Sequence, residues 1–557
     1  MRDRWTRVSA SPTTHGEVLP LALTTDDLFS TPPAVAPIVP LDEKLRRTYY
    51  WMVNRAVISP YYDVEFTHGA PLGFTLGDTD VRLDLPREPS FSSNVLLPLL
   101  TFAVGGKCLL VGGPGRGKTT IAVLMGVLAG SSPEQVRRGV QQGQPQLTIS
   151  DLVGIPLPHD LVNATRLADV AVAWREWLTQ PVKIVDEYNR IPTKTQSALL
   201  TMVAEGYVES HDQLHRTAPA SGVESWFFTA NDDAGGGTFP VIQALRDRMD
   251  VTVAALGFNS RFFDELVARV EAGEKPEDHV PTELVFTGAE QQQMLAAIRA
   301  VPFPVGVRRR LEFFASHFEF VQHGARIFEY RTKDTVTTSG GRVPEVIAAN
   351  SGADLQVDPG AQTRNGLSVR ALQTLVLYAK AMAFFRGTAE VSVPDVGAVL
   401  PFALRGKLLP NLDHPRFDVG AEHELATDPV GWLAGLFEES NRQFDTLGLA
   451  VADPVRALLT EFDRGLTGVS VLEGNQRLTA VEAQIQAIAA SGKLYGRHFD
   501  DLTALKYLHQ RYTNYLAWAQ AVAQYAPPSE PSPTGSSSPS EPSPTGPPPS
   551  APQAQGR

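Results

Sequence analysis

The 557-residue sequence predicts an α/β fold in which helices flank a parallel β-sheet. Between residues 92 and 256, short apolar runs alternate with longer stretches of helical periodicity, an order typical of a parallel sheet covered by helices. The first of these runs leads directly into GGPGRGKT at residues 112–119. The glycine spacing and the Lys-Thr ending match a phosphate-binding loop, which connects a strand to a helix.

Two segments precede the sheet. Residues 1–40 contain several prolines and no periodicity, so they predict a flexible N-terminal arm. Residues 41–91 begin with a helical pattern and continue with alternating apolar and polar residues between Gly and Asp turns. We expect a small α+β element there.

Three segments follow the sheet. Residues 257–408 are mostly helical in pattern, with a Gly- and Thr-rich insertion near 320–366 that predicts strands and turns. Residues 409–526 carry apolar stripes at three- and four-residue spacing, which predict a further helical region. Residues 527–557 repeat SEPSPTG and contain no aliphatic side chain larger than Ala, so they predict a disordered Pro/Ser-rich tail.

Composition and charge narrow the function classes. The net charge of -12 argues against a bulk nucleic-acid or anionic-membrane surface. The lone cysteine, Cys108, cannot form an internal disulfide, which is typical of a reducing cytoplasm. No apolar run of signal-peptide length follows the N-terminus, and the most apolar stretch, residues 94–106, is too short to span a membrane. We therefore expect a cytoplasmic protein.

The glycine-rich loop predicts a site for ATP and Mg²⁺. Glycines at these positions let backbone N–H groups face phosphates, and the following helix N-terminus adds partial positive charge. Lys118 is placed to reach the β and γ phosphates, and Thr119 to bind magnesium. The predicted nucleotide-binding residues of this segment are Gly112, Gly113, Pro114, Gly115, Arg116, Gly117, Lys118, Thr119 and Thr120.

Acidic side chains end the second apolar run, PVKIVDE. Asp186 would hold the magnesium, and Glu187 could polarise the water that attacks the γ-phosphate. Adjacent carboxylates are common on protein surfaces, but these two end a strand of the same α/β region. Lys183 interrupts the run, which indicates either a strand near the sheet edge or a side chain that reaches water.

Two further positions have both a catalytic and an ordinary interpretation. Asn231, at the end of SWFFTAND, could orient the attacking water, or it could simply form a turn. Arg246 and Arg248 follow in ALRDRMD, where a cation could project to a neighbouring subunit's γ-phosphate. They could equally be surface charges of a helix.

Taken together, GGPGRGKT, VDEYNRIPTKTQSALLTMVAEG, FFTAND and ALRDRMD resemble the AAA+ ATPases, and among them the MoxR family. The resemblance covers about residues 92–408. It implies that Glu187 is the catalytic base, Asn231 the first sensor and Arg248 the arginine finger, with Arg246 as the other candidate for the finger. Residues 257–408 look like the helical lid, with Arg370 as a second sensor contacting the nucleotide. Residues 151–169 look like a helix-2 insert that faces the ring centre.

The resemblance also implies an assembly and a task. Members of the family commonly form hexamers or other rings, because a heterologous contact repeated by rotation closes on itself. They remodel or assemble client proteins, often ones with von Willebrand factor A domains. Two alternatives stay open: a nucleic-acid-stimulated motor, which the acidic charge disfavours, and a scaffold that binds ATP without hydrolysing it, which the filled catalytic positions disfavour.

Overall fold

The computed structural model describes residues 39–525, apart from residues 67–71, 80–81, 164, 167–168, 232–238, 240, 256, 324, 350–357, 418–424, 426, 452, 491–493 and 495. The predicted tail and nearly all of the predicted N-terminal arm lie outside the described residues. The chain divides into two compact units. The first extends to Pro454 and includes Ile488–Thr503, and the second consists of Val455–Ala487 and the chain from Ala504 onward.

The N-terminal element begins with helix α1 (Leu41–Trp51), which continues into one π-helical turn, Met52–Ala56. Two acidic residues in the first turn of α1 interact favourably with the helix dipole. Tyr49 is buried, and its hydroxyl accepts a hydrogen bond from the backbone N–H of Ser92 at 2.8 Å. Strands β1 (Leu72–Thr75) and β2 (Arg82–Leu85) then form an antiparallel hairpin.

The central sheet has five parallel strands, which lie side by side in the order Val251–Ala254, Lys107–Val111, Ser225–Ala230, Val182–Asp186 and Gln141–Gln142. The strands of the chain after the first hairpin are β3 (Lys107–Val111), β4 (Gln141–Gln142), β5 (Gly154–Pro156), β6 (Val172–Trp174), β7 (Val182–Asp186), β8 (Tyr207–Ser210), β9 (Gln213–Arg216), β10 (Ser225–Ala230) and β11 (Val251–Ala254). Every residue of β10 is buried, which explains its nearly continuous apolar sequence. Because the strands are parallel, their carboxyl ends share one edge of the sheet.

Helices surround this sheet, which confirms the predicted fold class. They are α2 (Ser93–Val104), α3 (Lys118–Leu128), α4 (Pro133–Gly139), α5 (Ile149–Val153), α6 (Pro158–Asn163), α7 (Thr193–Glu205) and α8 (Gln243–Asp247). Helices α2 and α3 are among the most buried, and their apolar residues join β3 and β11 in one hydrophobic core. A second core on the β7 and β10 strands contains Trp177 and Trp226, whose rings meet edge to face.

Lys183 is buried within the sheet and does not reach water. Strand β7, which carries it, is one position in from the edge strand β4. Lys183 Nζ donates to the carbonyls of Gln180 and Thr217 at 2.9 Å, and to Glu224 Oε2 at 2.7 Å. Burial lowers the pKa of Lys183, while the Glu224 carboxylate acts in the opposite direction.

The chain after the sheet is helical. Its next helices are α9 (Phe263–Ala272), α10 (Gly288–Ala300), α11 (Val305–Ser316), α12 (Lys333–Thr338), α13 (Val343–Ala348), α14 (Val369–Arg386), α15 (Val393–Leu404) and α16 (Pro429–Thr446). Helix α14 packs against α15 and α2, and α15 packs against α16. Trp432 and Phe437 of α16 belong to the same hydrophobic core as the sheet, so this helix is built into the first unit.

The prediction of a strand-rich insertion near 320–366 is wrong for the described residues. Apart from single β-bridges, the segment forms α12, α13 and two 3-10 turns, Phe328–Tyr330 and Pro359–Gln362. Its Gly- and Thr-rich sequence predicted strands and turns, but Thr332 instead caps α12 by accepting a hydrogen bond from the Thr335 N–H. Val343 and Ile347 then bury one face of α13. Packing therefore overrides the weak β-propensity.

The last helices are α17 (Pro454–Asp463), α18 (Val471–Ala490) and α19 (Arg497–Tyr525). In the second unit, the buried residues of α18 and α19 include Val481, Leu505, Leu508, Tyr512 and Leu516, which the apolar stripes predicted. No helix in the described part of the chain is long and apolar enough to cross a membrane.

Candidate nucleotide site

The glycine-rich loop lies between β3 and α3, at the carboxyl edge of the sheet. Gly115 and Gly117 have φ angles of 72° and 74°, which favour glycine over other residues. Nothing within 4 Å would meet a Cβ added at either position, so backbone conformation rather than crowding requires these glycines. The loop thus turns on itself before the first turn of α3, as the sequence predicts.

Lys118 is the cation at the centre of the loop. Its Nζ donates to the carbonyls of Gly112 and Gly113, both at 2.7 Å, and to Asn231 Oδ1 at 2.8 Å. Its side chain is largely buried, and its partners directly follow the ends of β3 and β10. A charge held in this way inside the loop is well placed to bind phosphate oxygens.

Thr119 and Asp186 meet beside the loop. Thr119 Oγ1 donates to Asp186 Oδ1 at 2.9 Å. The buried Thr229 hydroxyl donates to the same carboxylate oxygen at 2.5 Å and accepts the Glu187 backbone N–H at 2.9 Å. Thr229 therefore fixes both acidic residues to the end of β10, although sequence reasoning gave it no role. The sequence feature that could have indicated this role is a hydroxyl-bearing residue near the end of an apolar strand.

Glu187 adopts a left-handed backbone conformation, with φ of 52°, directly after β7. Its Oε1 accepts a hydrogen bond from Asn231 Nδ2, and its Oε2 pairs with Arg190 Nε at 3.0 Å. Asn231 thus bridges Lys118 and Glu187. The carboxylate that the sequence assigns as the base is held at the sheet edge with both of its oxygens engaged, and Arg190 is a partner that the sequence did not identify.

The predicted arginines lie on a different element from the loop. Arg248 follows α8 and donates to the Ala244 carbonyl at 3.0 Å, while Arg246 is exposed. Arg370 lies in the first turn of α14, and its Nη1 pairs with Asp247 Oδ2 at 2.6 Å. The structure therefore brings Arg370 to the residue beside Arg248, and the contact of Arg370 with a nucleotide stays a prediction.

A cleft of about 650 Å³ opens beside the loop. Residues 114–117 and Thr120 form one wall, and residues 56–61 with Asp63 form another. The base and ribose of a nucleotide whose phosphates lie on the loop would extend into such a space. Sequence reasoning gave the N-terminal 90 residues no part in the site, because nothing in their pattern shows that the chain after α1 runs past the loop.

The residues present fit Mg²⁺ and ATP. Magnesium prefers oxygen ligands and usually takes only one or two from the protein, the others coming from phosphates and water. Thr119 Oγ1 and Asp186 Oδ1 supply two such oxygens next to the loop. Among the described residues, no group of three or more His, Cys, Asp or Glu side chains could hold a metal by itself.

Two domain families match parts of the chain, and two known proteins are similar to it. Residues 107–251 match the ATPase family associated with various cellular activities (AAA), and residues 360–427 match the AAA lid domain. Chaperone MoxR1 of Mycobacterium tuberculosis (strain ATCC 25618 / H37Rv) is 25% identical over 314 residues, which cover 55% of this chain and 69% of that protein. A crystal structure of a "putative ATPase" from Cytophaga hutchinsonii ATCC 33406 is 20% identical, covers 60% of this chain and 88% of its own, and has a TM-score of 0.40.

The parallel sheet, the phosphate-binding loop and the two domain matches define an AAA+ ATPase with its lid. Within that class the chain is similar to the MoxR chaperones, since it shares 25% identity with the mycobacterial protein over 55% of its length. The predictions of the class, of nucleotide binding and of ATPase activity are confirmed.

Proposed function

We propose that ATP hydrolysis by this protein drives the remodelling or assembly of a partner protein. The observation that carries the proposal is the hairpin of β5 and β6, which encloses α6 and exposes apolar side chains. Val162 is 84% exposed, and Ile155 and Leu161 are each at least half exposed. Exposed apolar groups on a motor domain are suited to binding apolar surface of another protein.

The site residues take the following roles in this proposal. Residues 112–120 bind the phosphates, with Lys118 supplying the charge, and Thr119 and Asp186 hold Mg²⁺, which would neutralise charge on the transferred phosphoryl group. Glu187 accepts a proton from the attacking water once its carboxylate is free of Asn231. Asn231 then orients that water while its carbonyl stays near Lys118.

In a ring, the neighbouring subunit would supply a further arginine to this site. Arg248 follows α8 on an element separate from the loop, so it is suited to act on a neighbouring subunit's nucleotide. A contact of this heterologous kind closes into a ring, and a hexamer is the expected form. Nucleotide state would then change the contacts between subunits and move the β5–β6 hairpin.

The resemblance to the MoxR family extends the proposal to the client and the location. Clients with a von Willebrand factor A domain are the first class to test, and the lone buried Cys108 suits the cytoplasm.

An affinity capture tests the proposal. Glu187→Gln should bind ATP and hold its client, whereas Lys118→Ala should bind ATP weakly and release it. In the Glu187→Gln background, replacing Leu161 and Val162 with Ser should abolish client capture without affecting ATP binding. Val451→Ser, at another exposed apolar position, is the matched control and should leave capture intact.

Recovery of the same protein by Glu187→Gln and by its Val451 control, and its loss with the hairpin substitutions, would support a remodelling ATPase. Recovery of DNA, together with ATPase stimulation by DNA that salt suppresses, would instead assign a nucleic-acid motor.

A further inference from the structure

Asp247 joins α8, the helix that precedes the predicted finger Arg248, to the start of helix α14. It is the last residue of α8 and directly precedes Arg248. Its Oδ1 accepts from Ser368 Oγ at 2.9 Å, and its Oδ2 accepts from Arg370 Nη1 at 2.6 Å. Ser368 is the N-cap of α14, and its hydroxyl also accepts the Ala371 N–H. One carboxylate therefore binds two positions at the start of the lid helix α14.

The guanidinium group of Arg370 forms an ion pair with this carboxylate. Arg370 is not among the described residues that line the cleft at the loop, and its side chain is 45% exposed. An anion at the loop and the Asp247 carboxylate would compete for the same guanidinium, because both prefer its planar set of donors. A ligand that draws Arg370 away must therefore also break the ion pair between Arg370 and Asp247.

Other charged groups lie around this contact. Lys407 donates to the backbone carbonyl of Asp250 at 3.2 Å, and burial lowers its pKa to about 8, which the carboxylates of Asp250 and Asp247 oppose. Asp250 accepts from the Lys107 N–H and from Thr374 Oγ1, so a second carboxylate ties β3 to α14. Of the two carboxylates, Asp247 is the one with an ion pair to the predicted sensor arginine.

We propose that Asp247 is a positioning residue that holds Arg370 back from the nucleotide until ATP binds. Release of this ion pair links nucleotide binding to α8 and to the predicted finger, Arg248. The proposal rests on the assignment of Arg370 as the lid arginine that contacts nucleotide. It adds that the Asp247 carboxylate of the same chain competes with the nucleotide for Arg370.

The charge of Asp247 can be removed with little change in shape. Asp247→Asn keeps an oxygen that can accept from Ser368 but loses the ion pair. A partly exposed ion pair is weak, so its loss should tighten ATP binding by only about two- to fivefold. The matched control is Asp445→Asn, because Asp445 on α16 forms a comparable, partly exposed ion pair with Arg310 on α11.

The test is a double-mutant cycle on the affinity for a fluorescent, non-hydrolysable ATP analogue with Mg²⁺. Asp247→Asn should lower the Kd about two- to fivefold in the wild-type background and leave it unchanged in an Arg370→Ala background. Asp445→Asn should leave the Kd unchanged in both. A general structural effect of Asp247→Asn would not depend on Arg370.

Two results would overturn the proposal. An unchanged or higher Kd for Asp247→Asn, or a lower Kd that persists without Arg370, would show that Asp247 does not compete for that arginine. If Arg370→Ala alone leaves the Kd unchanged, the assignment of Arg370 fails, and the proposal fails with it. Neither result bears on whether the protein remodels a client.

Discussion

Replacing Thr229 with Val should slow hydrolysis while leaving the fold intact. The two side chains have nearly the same shape, but Val cannot donate to Asp186 or accept from the Glu187 N–H. Glu187 has a φ of 52°, a conformation that costs a non-glycine residue about 1–2 kcal/mol, and the Thr229 hydrogen bond opposes its relaxation. Without this hydrogen bond, Glu187 can release that strain by moving out of its position at the site. A loss of about 1–2 kcal/mol in positioning the base corresponds to a roughly five- to thirtyfold fall in kcat.

Steady-state ATP hydrolysis by the purified protein measures this effect, with thermal unfolding as the check on folding. Thr229→Ser is the control, because it keeps the hydroxyl and loses only a methyl group. It should retain most of the wild-type kcat. A Thr229→Val enzyme within twofold of wild type, or a Ser variant as slow as the Val variant, would refute the reasoning.

Three further predictions concern the finger and two buried lysines. Arg248→Ala should lower kcat by about 10³-fold and Arg246→Ala by much less, and the reverse order in steady-state assays would make Arg246 the finger. Lys183→Ala should cost at least about 2 kcal/mol of unfolding free energy in urea titrations, because it leaves Glu224 without its ion-pair partner; no loss would contradict the contact. Burial lowers the pKa of Lys333 from 10.5 to about 8, so the unfolded state binds that proton more tightly and the contribution of Lys333 to stability rises with pH between these values. The stability of wild type relative to Lys333→Met should therefore increase by about 1 kcal/mol from pH 7 to pH 9, and a flat difference would contradict the shift.

Much of the sheet and the loop could be predicted from local sequence. The apolar runs of β3, β7 and β10 are buried on both faces, so their composition reports their position directly. The loop could be predicted equally well, because the left-handed φ angles at Gly115 and Gly117 favour glycine. These features depend on residues close together in the chain.

The features that were missed depend on residues far apart in the chain. Lys183 interrupts an apolar strand, and only the positions of Gln180, Thr217 and Glu224 around it explain why it is buried. The cleft wall after α1 and the Asp247–Arg370 pair join segments separated by long stretches of sequence, which no local pattern records.

Near residues 320–366, the local sequence predicted strands that the described residues do not form. The Gly- and Thr-rich sequence of this segment predicted strands and turns, but the helix cap at Thr332 and the burial of Val343 and Ile347 favour helices. Propensity differences are small relative to packing, so composition alone could not decide between the two structures.

The most direct test of the central claim compares ATP binding with ATP hydrolysis in Glu187→Gln. This protein should bind Mg²⁺-ATP with an affinity close to that of wild type, because the loop, Thr119 and Asp186 are unchanged. Its hydrolysis rate should fall by about 10²- to 10⁴-fold, the usual contribution of a general base. A variant that still hydrolyses ATP within threefold of the wild-type rate would show that Glu187 is not the base and that the site works differently.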